Sequence, residues 1–252
     1  MSRRIALITG ATSGIGEATA KLLSANGFDL ILTGRREERL QSLKDDLGKN
    51  AAVLTLNFDV RDKEDVKEKL ASLPAEWKAI DVLVNNAGNA HGLDPIQRGS
   101  LDDWDAMIDI NVKGLLYVSR EIIPLMIDRK AGHIINIGSI AGKEVYPNGN
   151  VYCASKFAVD ALTKGMRMDL NSHSIKVTSI NPGLVETEFS LVRFKGDAPK
   201  ASQVYKGLKP LKAEDIADVI LYTLNAPPHV VLADITVLPA AQASAAIVRR
   251  TE

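Results

Sequence analysis

Short apolar, β-branched runs alternate along this chain with longer segments in which apolar and charged residues recur at helical spacing. The runs at 5–8, 28–33, 53–58, 80–84, 133–137, 176–180 and 234–237 predict strands. The segments 14–26, 36–47, 63–72, 101–129, 151–171 and 213–225 predict helices, with an interruption of 101–129 expected near Pro124. Strands that are nearly continuous in apolar residues belong to a sheet buried on both faces, and β-α-β alternation makes that sheet parallel. The expected architecture is α/β: a doubly wound parallel sheet with helices on both faces and a ligand crevice at the C-terminal strand ends. No repeat, low-complexity segment or linker divides the chain, so 1–252 is expected to form a single domain. The stretch 187–211, rich in Lys, Gly and Pro, is the least regular. It is expected to be a substrate lid, with a variable surface insert as the alternative.

Composition narrows the partners. Lys and Arg number 31 and Asp and Glu 31, so charge gives no reason to expect nucleic acid or an anionic membrane. The single cysteine, Cys153, allows no intramolecular disulfide and suits a reducing compartment. No apolar stretch approaches the length of a signal peptide or membrane span, so a cytoplasmic location and a small-molecule partner are expected. His91, His133, His173 and His229 lie too far apart for metal-ligand spacing, and no metal is expected.

Directly after the first predicted strand comes Thr9-Gly10-Ala11-Thr12-Ser13-Gly14-Ile15-Gly16. Missing side chains at Gly10, Gly14 and Gly16 let the backbone turn sharply and approach a pyrophosphate at the next helix N-terminus. Thr12 and Ser13 add hydroxyl donors. Tight strand-to-helix turns need glycine anyway, so position between strand and helix carries much of this dinucleotide reading. The second strand ends at Gly34-Arg35-Arg36, where an acidic residue would favour an unphosphorylated adenine ribose. Two guanidiniums stand there instead and suit a 2′-phosphate, so NADP is the expected cofactor. The alternative is a pair of solvated charges opening the second helix.

Tyr152 and Lys156 are four apart in a predicted helix and share a face. A nearby ammonium favours the phenolate, so the pair could exchange a proton with an alcohol or ketone while hydride moves. The spacing is easily met by chance, and Tyr205-Lys209 meets it too, beside Gly207 and Pro210 where a regular helix is doubtful. Context favours Tyr152, because the preceding strand ends near Ser139, whose hydroxyl could donate to the reacting oxygen.

Thr9-Gly10-x-x-x-Gly14-Ile15-Gly16, Asn85-Asn86-Ala87-Gly88, Asn111, Ser139, Tyr152-x-x-x-Lys156 and Pro182-Gly183 together resemble the short-chain dehydrogenases/reductases over essentially the whole chain. The resemblance implies a Rossmann-type sheet of about seven parallel strands and a homotetramer. It implies Tyr152 as general acid/base, Ser139 polarising the substrate oxygen, and Lys156 on the nicotinamide ribose, lowering the Tyr152 pKa. Asn111 would hold a relay water through its backbone. Asn86, Ala87 and Gly88 would line the adenosine side, Asp59 and Val60 the adenine, and Pro182, Gly183, Val185 and Thr187 the carboxamide and phosphates.

The stretch 185–197 and the run from Leu238-Pro239 to Arg250 look like those of microbial NADP-dependent 3-hydroxy acid dehydrogenases, which act on serine and allo-threonine. A hydroxy acid needs a cation for its carboxylate. Arg193 is the first candidate because Arg clamps bidentately, and Lys195 the second. A broad carbonyl reductase and a non-catalytic NADP-binding regulatory protein are the competing readings. Arg249 and Arg250 are expected to be subunit contacts or solvated ends.

Overall fold

The computed structural model describes residues 3–251. Its strands are β1 (Arg4–Ile8), β2 (Phe28–Gly34), β3 (Val53–Asn57), β4 (Ile80–Asn85), β5 (Gly132–Ile137), β6 (Ile175–Pro182) and β7 (Asp234–Val237). Its α-helices are α1 (Gly14–Ala25), α2 (Glu37–Leu47), α3 (Lys63–Ala71), α4 (Leu101–Ile108), α5 (Gly114–Arg129), α6 (Asn150–Leu170), α7 (Phe189–Arg193), α8 (Ala198–Gln203) and α9 (Ala213–Leu224).

The strands form one sheet in the order β3-β2-β1-β4-β5-β6-β7, and every neighbouring pair is parallel. Successive strand residues point to opposite faces, so alternate positions feed two cores. Ala6, Ile8, Leu30, Leu32 and Val84 pack with residues of α1, α2 and α9, including Leu23, Leu40 and Ile220. Leu7, Ile31, Leu83 and Ile134 pack with residues of α3, α5 and α6, including Leu70, Ile122 and Leu170. Each such aliphatic side chain contributes about 1.5–3 kcal/mol on full burial. The two cores hold the sheet rigid. The order reverses between β1 and β4, which opens a crevice at their C-terminal ends.

Two expectations change. Pro124 lies inside α5 without breaking it. Pro124 and Arg120, whose carbonyl loses its partner, are both exposed, on a side of the helix where water is at hand for the freed group. The break in 101–129 comes earlier, at a π-helical turn over Asp109–Lys113 that carries Asn111. The stretch 187–211 is not wholly irregular, since it holds α7 and α8. Among the described residues no helix is long and apolar enough to cross a membrane.

Candidate active site

The C-terminal ends of β1, β2, β4, β5 and β6 open into one cleft of about 430 Å³. At its floor the chain turns at Gly10, φ +65°, where a Cβ would stand 3.0 Å from the Ala87 Cα. A Cβ on Gly16 would lie 2.4 Å from the Gly10 carbonyl oxygen, so only glycine closes this turn. Asn86 Nδ2 donates to the carbonyls of Thr9 (2.9 Å) and Gly10 (3.2 Å). Thr9 Oγ1 in return accepts from the Asn86 and Ala87 amides at 3.0 and 2.9 Å. Asn86 and Thr9 therefore lock the two loops together and aim the N-terminus of α1 into the cleft, a position that favours anionic groups.

The two guanidiniums part company. Arg36 Nη2 donates to Ser13 Oγ (2.8 Å) and Thr12 Oγ1 (3.0 Å), and its Nη1 to Glu188 Oε2 (2.8 Å). Arg35 turns the other way, its Nη1 standing 3.6 Å from Asp59. Burial raises the Asp59 pKa, but hydrogen bonds from Arg61 and the charges of Arg61 and Arg35 more than reverse this and hold it below its ordinary value. A fork of guanidinium donors beside two hydroxyls, at a turn stripped of side chains, suits a phosphate monoester next to a pyrophosphate. The residues present fit a 2′-phosphorylated dinucleotide.

At the other end of the cleft, Tyr152 and Lys156 lie in the first turns of α6, both buried. Lys156 Nζ donates to the Ile137 carbonyl (2.9 Å), which anchors the ammonium at the end of β5. Burial pulls its pKa down to about 8. Ser139 Oγ accepts from the Ala141 amide (3.1 Å), opening a short 3₁₀ turn, donates to the Pro182 carbonyl (3.5 Å) and lines the cleft with Tyr152. From protein groups alone, burial pushes the Tyr152 pKa up, opposed by Ser139 and Arg193. The opposing cation is thus Arg193. Lys156 is itself desolvated and holds a carbonyl in this arrangement.

Asn111 sits behind the cleft. Its Oδ1 accepts from the Asn89 amide (2.9 Å), and its Nδ2 donates to the Asn89 carbonyl (2.8 Å) and to Ser155 Oγ (3.0 Å). The side chain joins the loop after β4 to α6, and the π-helical turn frees local carbonyls from regular pairing. Of the residues singled out in the sequence, Gly16 and Asn111 pack against the cleft from outside. Thr12, Ser13, Gly14, Ile15, Val60, Gly88, Pro182, Gly183, Val185 and Thr187 line it, as do Arg35, Arg36, Ser139, Tyr152 and Arg193.

Segment 187–211 covers this end. Phe189 meets the Tyr152 ring edge-on at 5.6 Å between centroids. Arg193 donates from Nη2 to Tyr146 Oη (2.8 Å) and from Nε to the Gly92 carbonyl (3.1 Å), its Cζ 5.5 Å from the Tyr152 ring centre. Lys195 instead pairs with Asp103 at 3.0 Å, away from the cleft. Tyr205 lies in a turn, not a helix, and its hydroxyl donates to the Val185 carbonyl (2.9 Å), bracing the segment. Arg250 is exposed, and it donates to the Val204 carbonyl (3.0 Å) and to that of Lys206, tying residues near the chain end to this segment.

Sequence reasoning missed Tyr146, Glu188 and Gln242. Gln242 Oε1 accepts from the Leu184 amide (2.9 Å) and fills the space beside Gly183. Local spacing marks none of the three: Tyr146 and Gln242 reach the cleft from other loops, and Glu188, beside Thr187, is set apart only by its tertiary contacts with Arg36 and Arg39.

The family model for short chain dehydrogenases matches residues 4–197. The NADP-dependent 3-hydroxy acid dehydrogenase YdfG of Salmonella typhi is 49% identical over 244 residues, covering 96% of this chain and 98% of that one. Sulfoacetaldehyde reductase 2 of Chromohalobacter salexigens is 45% identical over 240 residues, covering 95% of each. A solved closed form of serine dehydrogenase complexed with NADP+ superposes with a TM-score of 0.92 at 46% identity, covering 98% of this chain and all of that one. This chain belongs to the short-chain dehydrogenase family of oxidoreductases.

Proposed function

We propose that this protein is an NADP-dependent dehydrogenase of small 3-hydroxy acids such as L-serine or L-allo-threonine. The observation that carries the reading is one cleft with a guanidinium–hydroxyl cradle at one end and Tyr152, Ser139 and a guanidinium at the other. The relatives' names point the same way, and sulfoacetaldehyde, the substrate named for one of them, is likewise a small carbonyl compound with an anionic group.

Bound NADP supplies the acceptor for the substrate's hydride, and NADPH the donor in reverse. Tyr152 takes the hydroxyl proton in oxidation and returns it to the carbonyl oxygen in reduction. Ser139 donates to the same oxygen as its negative charge grows. Burial keeps Tyr152 protonated, ready to donate. Its phenolate form needs positive charge nearby, for which Arg193 and Lys156 are the available side chains. Arg193, held by Tyr146, would clamp the substrate carboxylate bidentately. Segment 187–211, which carries Arg193, would act as the lid.

A cytoplasmic homotetramer belongs to the same reading, supported by exposed Leu116 on α5 and Phe157 and Met168 on α6. Light scattering should return four times the chain mass, and a monomer would remove this part. The central test is Tyr152→Phe. It should lose nearly all turnover while NADPH fluorescence titration gives an unchanged affinity. Near-normal turnover would overturn the assignment.

A further inference from the structure

The geometry points to Glu188 as a carboxylate that competes with the cofactor's 2′-phosphate for Arg36, an inference that rests on the NADP reading above. Three guanidiniums stand near the end of β2, and they are not equivalent. Arg35 turns to Asp59, whereas Arg36 and Arg39 converge on a single carboxylate. Glu188 Oε2 accepts from Arg36 Nη1 and Oε1 from Arg39 Nη1, each at 2.8 Å. Arg36 Nη2 meanwhile holds Thr12 and Ser13, the hydroxyls that would share the phosphate. The donors of Arg36 are thus divided between the cradle and an acidic side chain of the chain itself.

A carboxylate and a phosphate use the same planar fork, and the phosphate brings more charge. A ribose 2′-hydroxyl brings none and leaves the bridge intact. Only the phosphorylated cofactor can take Arg36 from Glu188, which then keeps Arg39 alone.

The position of Glu188 gives this exchange a consequence. It is the residue that caps α7, and α7 ends at Arg193, which reaches Tyr146 and Tyr152. Thr187, its neighbour, packs on Gly14 of the glycine turn, where a Cβ would stand 3.2 Å away. The bridge therefore fastens the segment over the substrate end to the cofactor's phosphate site. Releasing Arg36 loosens that fastening at the moment the correct dinucleotide arrives.

The test compares wild type, Glu188→Gln and Arg36→Ala by titration with adenosine 2′,5′-bisphosphate, adenosine 5′-monophosphate, NADPH and NADH. Glu188→Gln keeps the shape and removes the charge, so both 2′-phosphorylated ligands should bind about fivefold tighter, a gain of the size expected from deleting one nearby like charge at a protein surface. Affinity for the unphosphorylated pair should stay within about twofold. Unchanged or weaker binding of the phosphorylated ligands in Glu188→Gln would overturn the competition. If Arg36→Ala fails to weaken those ligands relative to the others, the phosphate cradle itself is wrong. Circular dichroism on each variant separates lost binding from lost fold. A gain for all four ligands alike would also contradict the inference, since it would mark a general loosening of the segment and not competition for one phosphate.

Discussion

Arg193 reaches three groups at once: the Tyr146 hydroxyl, the Gly92 carbonyl and the face of the Tyr152 ring. Among the described residues its charge forms no salt bridge with a carboxylate, although Asp and Glu are as common in the chain as Lys and Arg. A guanidinium held by neutral acceptors over the reacting end suits an anionic substrate group. Arg193→Ala should lower kcat/KM for L-serine by about a hundredfold, the loss expected for a charge-assisted bidentate pair. Ethanolamine, which is serine without its carboxylate, should lose far less, since only the Arg193 charge beside Tyr152 is then missing and no such pair is lost. Equal losses for both substrates would show that Arg193 serves the fold or the tyrosine instead. Tyr146 could not have been found from the sequence, because its loop meets Arg193 only through tertiary packing 47 positions away. Tyr152 was legible because Ser139, the glycine turn and the Asn-Asn-Ala-Gly block framed it. The direction of its protonation shift was not, since burial is a property of the fold.

At the scale of elements, the strands were plain and the helix ends less so. Apolar runs on β1, β2 and β4 mark burial on both faces, and that pattern survives any detail of packing. The π-helical turn at Asp109–Lys113 escaped, because its cause is tertiary: Asn111 is drawn to Asn89 and Ser155 from two other elements. Pro124 misled, because a proline at a solvent-facing position costs a helix one bond that water replaces. Buried His133 on β5 meets Thr178 on β6 through Nε2 at 2.9 Å. Burial, with Lys176 and Arg4, lowers its pKa to about 4. Between that value and the ordinary one of 6.5 the unfolded chain binds a proton that the folded chain refuses. Stability must then fall as pH drops through this window, by about 2 kcal/mol at pH 5. Thermal melts at pH 7 and pH 5 should show that fall in wild type and a smaller one in His133→Gln, which does not titrate. Identical falls would place the acid sensitivity elsewhere.

On the scale of the whole molecule, two cores hold a seven-stranded sheet whose order reversal fixes where a dinucleotide lies. The far chain end returns to this cleft through Gln242 and Arg250, so substrate-side loops are braced by residues that sequence order keeps distant. Under the proposed function, the choice of cofactor falls to the phosphate cradle and the class of substrate to Arg193, held by Tyr146. A steady-state panel tests both together: L-serine, L-allo-threonine, 3-hydroxyisobutyrate and simple secondary alcohols, each with NADP and with NAD at fixed pH. kcat/KM should be at least about tenfold higher with NADP, the worth of one phosphate–guanidinium pair. The hydroxy acids should outrun alcohols lacking a carboxylate. Equal efficiency with NAD would rule out the phosphate cradle as the selector of cofactor, and equal efficiency with the plain alcohols would rule out a carboxylate clamp.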